Sequence, residues 1–473
     1  MKRAVVTVLG LIGATKVENY VENGKVEKRV IQKTEDDKAE YNFGKRLKKI
    51  YTLEKKKYTN MLPIICELFK EDTIIPIYTN KAKEIQTKVL ESENLSTDIL
   101  ANQDGFIEDE KNFPKVFSKI NKIIDNKNYD KVVVDLTHGF RHLPILMTVN
   151  LIIENIKQID KIEHLLFAKE EKAGKEYEII DLKEYLDIAN LSFALSSFTA
   201  NYTVSSNITT SNKKYNEFLK ELNNFSEHIL ANSLDALILT TNKKNSISLS
   251  LIQKIDAIIK EDDVLEEDEA LKNFKPYLSK IKKHIQEIES YSKLDEYEKY
   301  FKLSSNMLEK GYFLNSITLL NEAIGLFCKD EFKKINEDVK KFIERFEKEV
   351  KHRKNNSNNK KYQLYSLSDQ SKNLYKLNSD FKGDYLYIKS ASKDYEEEHN
   401  DISKNITIKI KSYLIDLKND KLYKKRVELI DEISRLRNNL AHGNSSQRLK
   451  DVRDDINQVL YKFNQLFCNH KNT

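Results

Sequence analysis

Residues 435–444 read RLRNNLAHGN, a run that crowds basic and amide side chains into about two helical turns. Arg435, Asn438 and His442 recur at steps of three and four, so a helix would carry them on one stripe with Arg437 and Asn439 flanking it. Leu429, Ile433, Leu436 and Leu440 form a second stripe, apolar and suited to burial, and Gly443 is placed to end the helix at C′. A histidine can move a proton near neutral pH, an arginine can stabilise charge developing on phosphate oxygens, and an asparagine can orient one of those oxygens. The stripe holds no acidic pair for magnesium and no cysteine, so metal-assisted and thiol chemistry lack their parts. RNA brings its own nucleophile in the 2′-hydroxyl. A metal-free ribonuclease leaving a 2′,3′-cyclic phosphate and a 5′-hydroxyl needs little more than these groups. One copy supplies a single histidine for both base and acid, whereas a homodimer joining two such helices across a two-fold axis supplies two. The same letters also fit a plain capped helix, with Arg437 paired to a surface acid and His442 favoured by the negative helix end.

A second concentration of polar types is VVVDLTHGFRH, where an apolar strand runs into Asp135, Thr137, His138, Gly139, Arg141 and His142 and then into a helix that Pro144 could open. In an open parallel sheet, ligands bind beyond the carboxyl ends of the strands, where helix N-termini present free N–H groups. Gly139 would let backbone approach a ligand, Thr137 could hold phosphate, and Arg141 could fork onto phosphate or stack on a base. Two other strands end in the same manner: LGLIGAT with Gly10, Gly13 and Thr15, and YTNKA with Thr79 and Asn80. The dinucleotide fingerprint GxGxxG is missing, which speaks against NAD. The bland alternative is that Asp135 caps a helix and His138 is a satisfied turn histidine.

These residues need elements to hold them. Short β-branched runs at Arg3 to Leu9, Thr73 to Tyr78, Lys131 to Asp135, Glu163 to Phe167 and Tyr177 to Asp181 alternate with helix-like segments such as TNMLPIICELFK and PILMTVNLIIENIK. That alternation predicts a Rossmann-like α/β domain over 1–185, its parallel sheet covered on both faces. Asn23-Gly24 inside VENYVENGKVEKRV predicts a hairpin. Beyond 186 the apolar residues step by three and four, which predicts an all-helical remainder: a helical linker region over 186–295 and a second domain over 296–473. The Asn-, Ser-, Lys- and Tyr-rich stretch at 351–394 reads as a long loop or insertion, and EDDVLEEDEA as a solvated segment.

The 473 residues exceed one ordinary core, and Lys+Arg outnumber Asp+Glu by only 80 to 74, which permits a polyanionic partner without identifying one. Cys66, Cys328 and Cys468 lie far apart with no CxxC spacing, arguing against a zinc site or a disulfide framework and for a reducing cytoplasm. No apolar run reaches 18 residues, so no membrane span is expected, and MKRAVVTVLGLIGA reads as a first strand instead of a signal peptide.

The two motifs together carry a resemblance. DLTHG at 135–139 matches the D-x-T-H-G signature of CRISPR-associated proteins of the DxTHG family, and RNNLAH at 437–442 matches the R-x4-6-H motif of HEPN ribonucleases, including the polar residue after the arginine. Arg435 also satisfies the permitted spacing, and Asn438 favours Arg437 as the motif arginine. YFLNSITLLNEAIGLF at 312–327 looks like an early helix of a HEPN bundle. The resemblance implies an N-terminal CARF sensor and a C-terminal HEPN effector: a type III CRISPR ancillary ribonuclease that cuts single-stranded RNA when its CARF dimer binds a cyclic tetra- or hexa-adenylate. Activator contacts would fall on Gly10, Thr79, Asn80, Thr137, His138, Gly139 and Arg141, and catalysis on Arg437, Asn438 and His442. It further implies no metal and no cofactor beyond the allosteric activator, and a homodimer or higher even oligomer. Two other readings stand beside it: a CARF-containing sensor or regulator without nuclease activity, and a ring nuclease that degrades the cyclic oligoadenylate in the CARF pocket.

Overall fold

The computed structural model of the protein describes all residues except 1, 23–24, 55–56, 102, 109–112, 138–142, 158–160, 211, 239–244, 262–273, 357–366, 378–385, 387–392, 444–447 and 470–473. Its contacts resolve into two compact units. One is made chiefly of Met1–Ser196 and Val204–Lys220, the other of Ser197–Thr203, Glu221–Glu266 and Asn273–Thr473. The division falls inside the helix Lys183–Asn201. Among the described residues every strand precedes Leu182, and no helix is long and apolar enough to cross a membrane.

The first unit is mixed α/β. Its strands are β1 (Arg3–Val8), β2 (Thr15–Glu22), β3 (Lys25–Gln32), β4 (Ala39–Phe43), β5 (Lys57–Tyr58), β6 (Thr73–Ile77), β7 (Lys131–Asp135), β8 (Ile162–Lys172) and β9 (Glu176–Asp181). Seven of them form one sheet in the order β5-β4-β9-β8-β7-β1-β6. β2 and β3 pair separately as the expected antiparallel hairpin, with Glu22 opposite Lys25 and the Asn23-Gly24 connection outside the described residues. Strand pleating sends successive side chains to opposite faces. Val6, Val134 and Ile75 accordingly join Ile120, Met147 and Leu151 in one apolar cluster, while Val5 and Val133 join Met61, Ile64 and Phe69 in the other. The first layer is built by the helices Phe113–Asp125 and Leu143–Lys157, and the second by Met61–Leu68. Val5, Val6, Val133 and Val134 are wholly buried, a contribution of about 1.5–3 kcal/mol for each side chain.

The sheet departs from the expected all-parallel layout. β8 and β9 are antiparallel, as are β4 and β5. A parallel pair needs a crossover of a dozen or more residues, and only Ala173, Gly174 and Lys175 separate β8 from β9. Gly174 takes the left-handed φ of +65° that closes so short a turn.

The second unit is helical among its described residues. Helices Glu296–Glu309, Phe313–Lys333, Lys421–Ala441 and Leu449–Phe463 share one core that includes Phe301, Leu320, Ile324, Ile433, Ile456 and Phe463. The stretch read as a loop contains an ordered helix, Leu367–Tyr375, with Leu374 and Tyr375 buried. Gly325 permits its close approach, since a Cβ there would sit 2.5 Å from the Ser368 carbonyl oxygen. The polar letters of LSDQSKNLY are matched by polar partners: Ser368 donates to Glu322, and Lys372 donates to the Asn321 side chain at 3.1 Å. The tail of the helix Glu337–Asn356 and the helix Lys393–Asp416 flank it in sequence. The acidic run expected as a solvated segment lies almost wholly outside the described residues.

Candidate functional site

In the first unit the sheet order sets β1 between β7 and β6, all three parallel. Their carboxyl ends therefore adjoin on one rim. The connection leaving β7 runs outward to β8, away from β1, so the β1–β7 gap is the topological switch point at which α/β sheets receive ligands. Gly10, Thr79, Asn80 and Thr137 are brought to this rim by the three strands; His138, Gly139 and Arg141 lie outside the described residues.

Each rim residue also has a structural partner. Asp135 is 0% exposed; one carboxylate oxygen accepts from the Thr7 hydroxyl on β1 at 2.7 Å and the other from the Thr137 N–H at 3.0 Å. The Thr137 hydroxyl oxygen in turn accepts from the Ala168 N–H of β8, which leaves its own proton to donate. Asp135 thus locks the first turn of the loop across three strands and is itself shut off from any ligand. Thr79 serves as the N-cap of the helix Asn80–Ser92, its side chain accepting from the Ala82 N–H, and Asn80 is exposed on the first turn.

Two amides with no signature in the motifs shape the loop after β1. Gln86 donates to the carbonyl oxygens of Gly10 at 2.8 Å and Ile12 at 3.1 Å, and its own oxygen accepts from Asn60 at 2.9 Å. Asn60 donates to the Ile12 carbonyl and caps the helix Met61–Leu68 by accepting from the Leu62 N–H. Both amides are essentially buried. A further constraint comes from Gly13, where a Cβ would stand 2.7 Å from Ile85. The signal for Gln86 was its position among Ala82, Val89 and Leu90 on the buried side of its helix.

In the second unit the helix Lys421–Ala441 starts at Asp420, whose side chain accepts from the Tyr423 N–H. Leu429 and Ile433 are buried and Leu436 and Leu440 pack against the core in part, so the expected stripe is present with a gradient toward the helix end. His442 is the C-cap and is exposed, its N–H donating to the Asn438 carbonyl at 3.1 Å, and Gly443 follows at φ +65° with nothing near a would-be Cβ. Arg437 is half-buried. Its Nη1 donates to the Asn438 side chain at 3.1 Å, and its buried Nε has no hydrogen-bond partner. Among the described residues no carboxylate lies within ion-pair distance of it, so the alternative pairing with a surface acid is not what this geometry holds. The arrangement offers a guanidinium and an amide fixed to each other, with an imidazole one turn on at an open helix end. Such a set can orient and neutralise a phosphate and exchange a proton with it.

Two of the three thiols are closed to chemistry at neutral pH. Burial pushes Cys66 up to about 12 and raises Cys328 further, so both stay protonated at neutral pH. Among the described residues there is no group of three or more His, Cys, Asp or Glu side chains arranged to hold a metal ion. Compared with models of protein families and with curated proteins, the chain gives no match.

Proposed function

We propose that the protein is a metal-independent single-stranded RNA endoribonuclease of type III CRISPR defence, switched on by a cyclic oligoadenylate. In this reading the first unit is a CARF sensor and the second a HEPN effector acting as a homodimer in the cytoplasm. The observation that carries it is Arg437: half-buried, without a carboxylate partner among the described residues, and bonded to Asn438 one turn before the exposed His442.

The chemistry follows from these groups. One copy's His442 takes the proton of the ribose 2′-hydroxyl as its oxygen attacks phosphorus; the partner copy's imidazole gives a proton to the departing 5′-oxygen. Arg437 and Asn438 hold the non-bridging oxygens as charge builds on them. The products are a 2′,3′-cyclic phosphate and a 5′-hydroxyl. An adenylate ring is polyanionic and compatible with two-fold symmetry, so it suits a seat shared by two switch-point rims, with Gly10, Thr79, Asn80, Thr137, His138, Gly139 and Arg141 as its contacts. It can favour one dimer arrangement only by binding that arrangement more tightly.

The test incubates the protein in EDTA with end-labelled single-stranded RNA, with and without cyclic tetra- and hexa-adenylate, and maps the ends. Activator-dependent cleavage that survives EDTA and falls by about 10²–10⁴-fold in His442→Ala is expected. Cleavage undiminished in that variant would remove His442 from the mechanism. RNA left whole while the activator shortens would instead support ring cleavage in the first unit, and binding of duplex DNA with nothing cut would support a regulator.

A further inference from the structure

A pocket of about 400 Å³ lies between the helices Glu296–Glu309 and Leu449–Phe463, within the range of about 300–1,000 Å³ common for small-molecule sites. Its floor is apolar and fixed: Phe301 stacks on Phe463 with ring centroids 5.1 Å apart, and Leu308 and Leu460 close it beneath. Its rim is a single face of the last helix, where Arg453, Asn457, Tyr461 and Asn464 recur at intervals of four, four and three. Tyr461 is 67% exposed, a large ring held at the mouth with no aromatic partner among the described residues. Arg453 reaches over the Phe313 ring at 5.6 Å and has no carboxylate within ion-pair distance among the described residues. At Asn464 the helix widens into a π-helical turn, Asn464–Cys468, a distortion that recurs at functional sites.

The pocket's height along the bundle is also set. Lys462 pairs with Glu432 at 2.8 Å and Arg426 donates to the Leu466 carbonyl at 2.9 Å, so the last helix runs antiparallel to Lys421–Ala441. Continuing that run puts Arg437 within about a turn of the level of Ile456, and His442 within about a turn of the level of Asp451. Arg453 and Asn457 therefore stand near the axial level of the motif residues.

We propose that this pocket seats one nucleobase of a single-stranded RNA: Tyr461 stacks on it, Asn457 and Asn464 meet its edge, and Arg453 takes the adjoining phosphate. Every base has a face for the tyrosine, so the seat is tolerant of sequence, and the amides add preference. Glu309 at the other end accepts from an exocyclic amine and repels phosphate, which gives the strand a direction through the pocket. The inference rests on the ribonuclease reading and extends it to where the substrate is held.

The test measures fluorescence anisotropy of a labelled single-stranded RNA with the full chain in a His442→Ala background. Adding Tyr461→Ala is expected to weaken binding by about 5- to 100-fold, while Tyr461→Phe stays within about twofold. Arg453→Ala is expected to lower the salt slope of log Kd by about one. The exposure of Tyr461 keeps the fold out of the comparison, and circular dichroism checks it. Binding within twofold of the parent in Tyr461→Ala, or an equal loss for duplex RNA, would overturn the proposal. If binding falls as expected but the unsubstituted protein cuts no RNA in EDTA, the pocket stands and the nuclease reading fails. Normal cleavage with an unchanged KM in Tyr461→Ala gives the opposite result: the nuclease reading stands and the pocket holds no substrate.

Discussion

Gln86→Leu is the substitution that most directly asks whether the rim of the first unit is built as described. Leucine keeps nearly the same volume and suits a helix, so packing is largely held constant while the amide is removed. Three hydrogen bonds go: to the Gly10 carbonyl at 2.8 Å, to the Ile12 carbonyl at 3.1 Å, and from Asn60 at 2.9 Å. The losses are unequal. The Ile12 carbonyl and the Asn60 amide keep each other at 2.8 Å, whereas the Gly10 carbonyl loses its side-chain partner. Gly10 is half-exposed, so water recovers part of that loss. At about 1 kcal/mol for each net bond, the loop after β1 should lose about 2–3 kcal/mol of local stability.

That figure converts to an observable. Thermolysin cleavage at Leu11 and Ile12, which requires this loop to open, should accelerate by about 30- to 150-fold, since each factor of ten is about 1.4 kcal/mol. Cleavage within β1 itself, whose ladder to β6 and β7 does not involve Gln86, should change far less. The assay follows the fragments of the full chain by mass spectrometry under limiting protease. In the proposed reading, cyclic oligoadenylate affinity should fall alongside, because a loosened loop must be re-ordered on binding. If cleavage at Leu11 and Ile12 stays within threefold of the parent, the buried amide pair does not hold this loop, and the account of the rim is wrong at its base.

Other perturbations separate structure from chemistry elsewhere. Asp135→Ala leaves the Thr7 hydroxyl and the Thr137 N–H facing a cavity and should cost about 2–4 kcal/mol, while Asp135→Asn, which can still serve both, should cost about 1; urea midpoints at constant m distinguish them. Gly325→Ala drives a Cβ against the Ser368 carbonyl and should cost about 1–3 kcal/mol, with trypsin cutting faster after Lys372 and Lys376 as the helix Leu367–Tyr375 lifts. His284 accepts a hydrogen bond from, or donates one to, Tyr202 at 2.5 Å, and burial, aided by Lys310, lowers its pKa below the usual 6.5. The unfolded chain therefore takes up this proton first as pH falls, so the second unit should lose stability as pH drops through 6.5, and His284→Gln should flatten that slope in urea midpoints measured from pH 7.5 to 5.5.

How much of this was legible depended on where a residue's partner lies. The apolar runs at β1, β6 and β7 announced themselves because strands buried on both faces must be apolar throughout. β4 was silent: AEYNF turns only Ala39, Tyr41 and Phe43 to a core, and its neighbour β5 has two residues. The antiparallel return at β9 was written in the three-residue connection at Gly174, but the alternation of strands and helices outweighed it. The helix Leu367–Tyr375 was hidden for a different reason. Its burial depends on polar groups meeting Asn321 and Glu322, some 46 to 51 residues away, and no periodicity of its own could reveal them.

The same division runs through the candidate sites. Residues that face outward, such as Asn80, Asn438 and His442, could be read from type and spacing alone, since nothing in the fold need match them. The groups that hold the backbone in place could not. Asp135 stands at a strand end, where the sequence offered it no role beyond a possible helix cap, and it is sealed beneath the rim by Thr7, 128 residues earlier. Gln86 looked like one more polar letter in a lysine-rich helix, and its task is set by a glycine carbonyl 76 residues earlier. Arg437 lies between these cases. Its bond to Asn438 is to the next residue and so was implicit in the motif, but its freedom from carboxylates among the described residues could be known only once the neighbouring helices were in place. That freedom matters chemically: a guanidinium already paired would have to break an ion pair to meet a phosphate, whereas this one exchanges only a neutral amide contact.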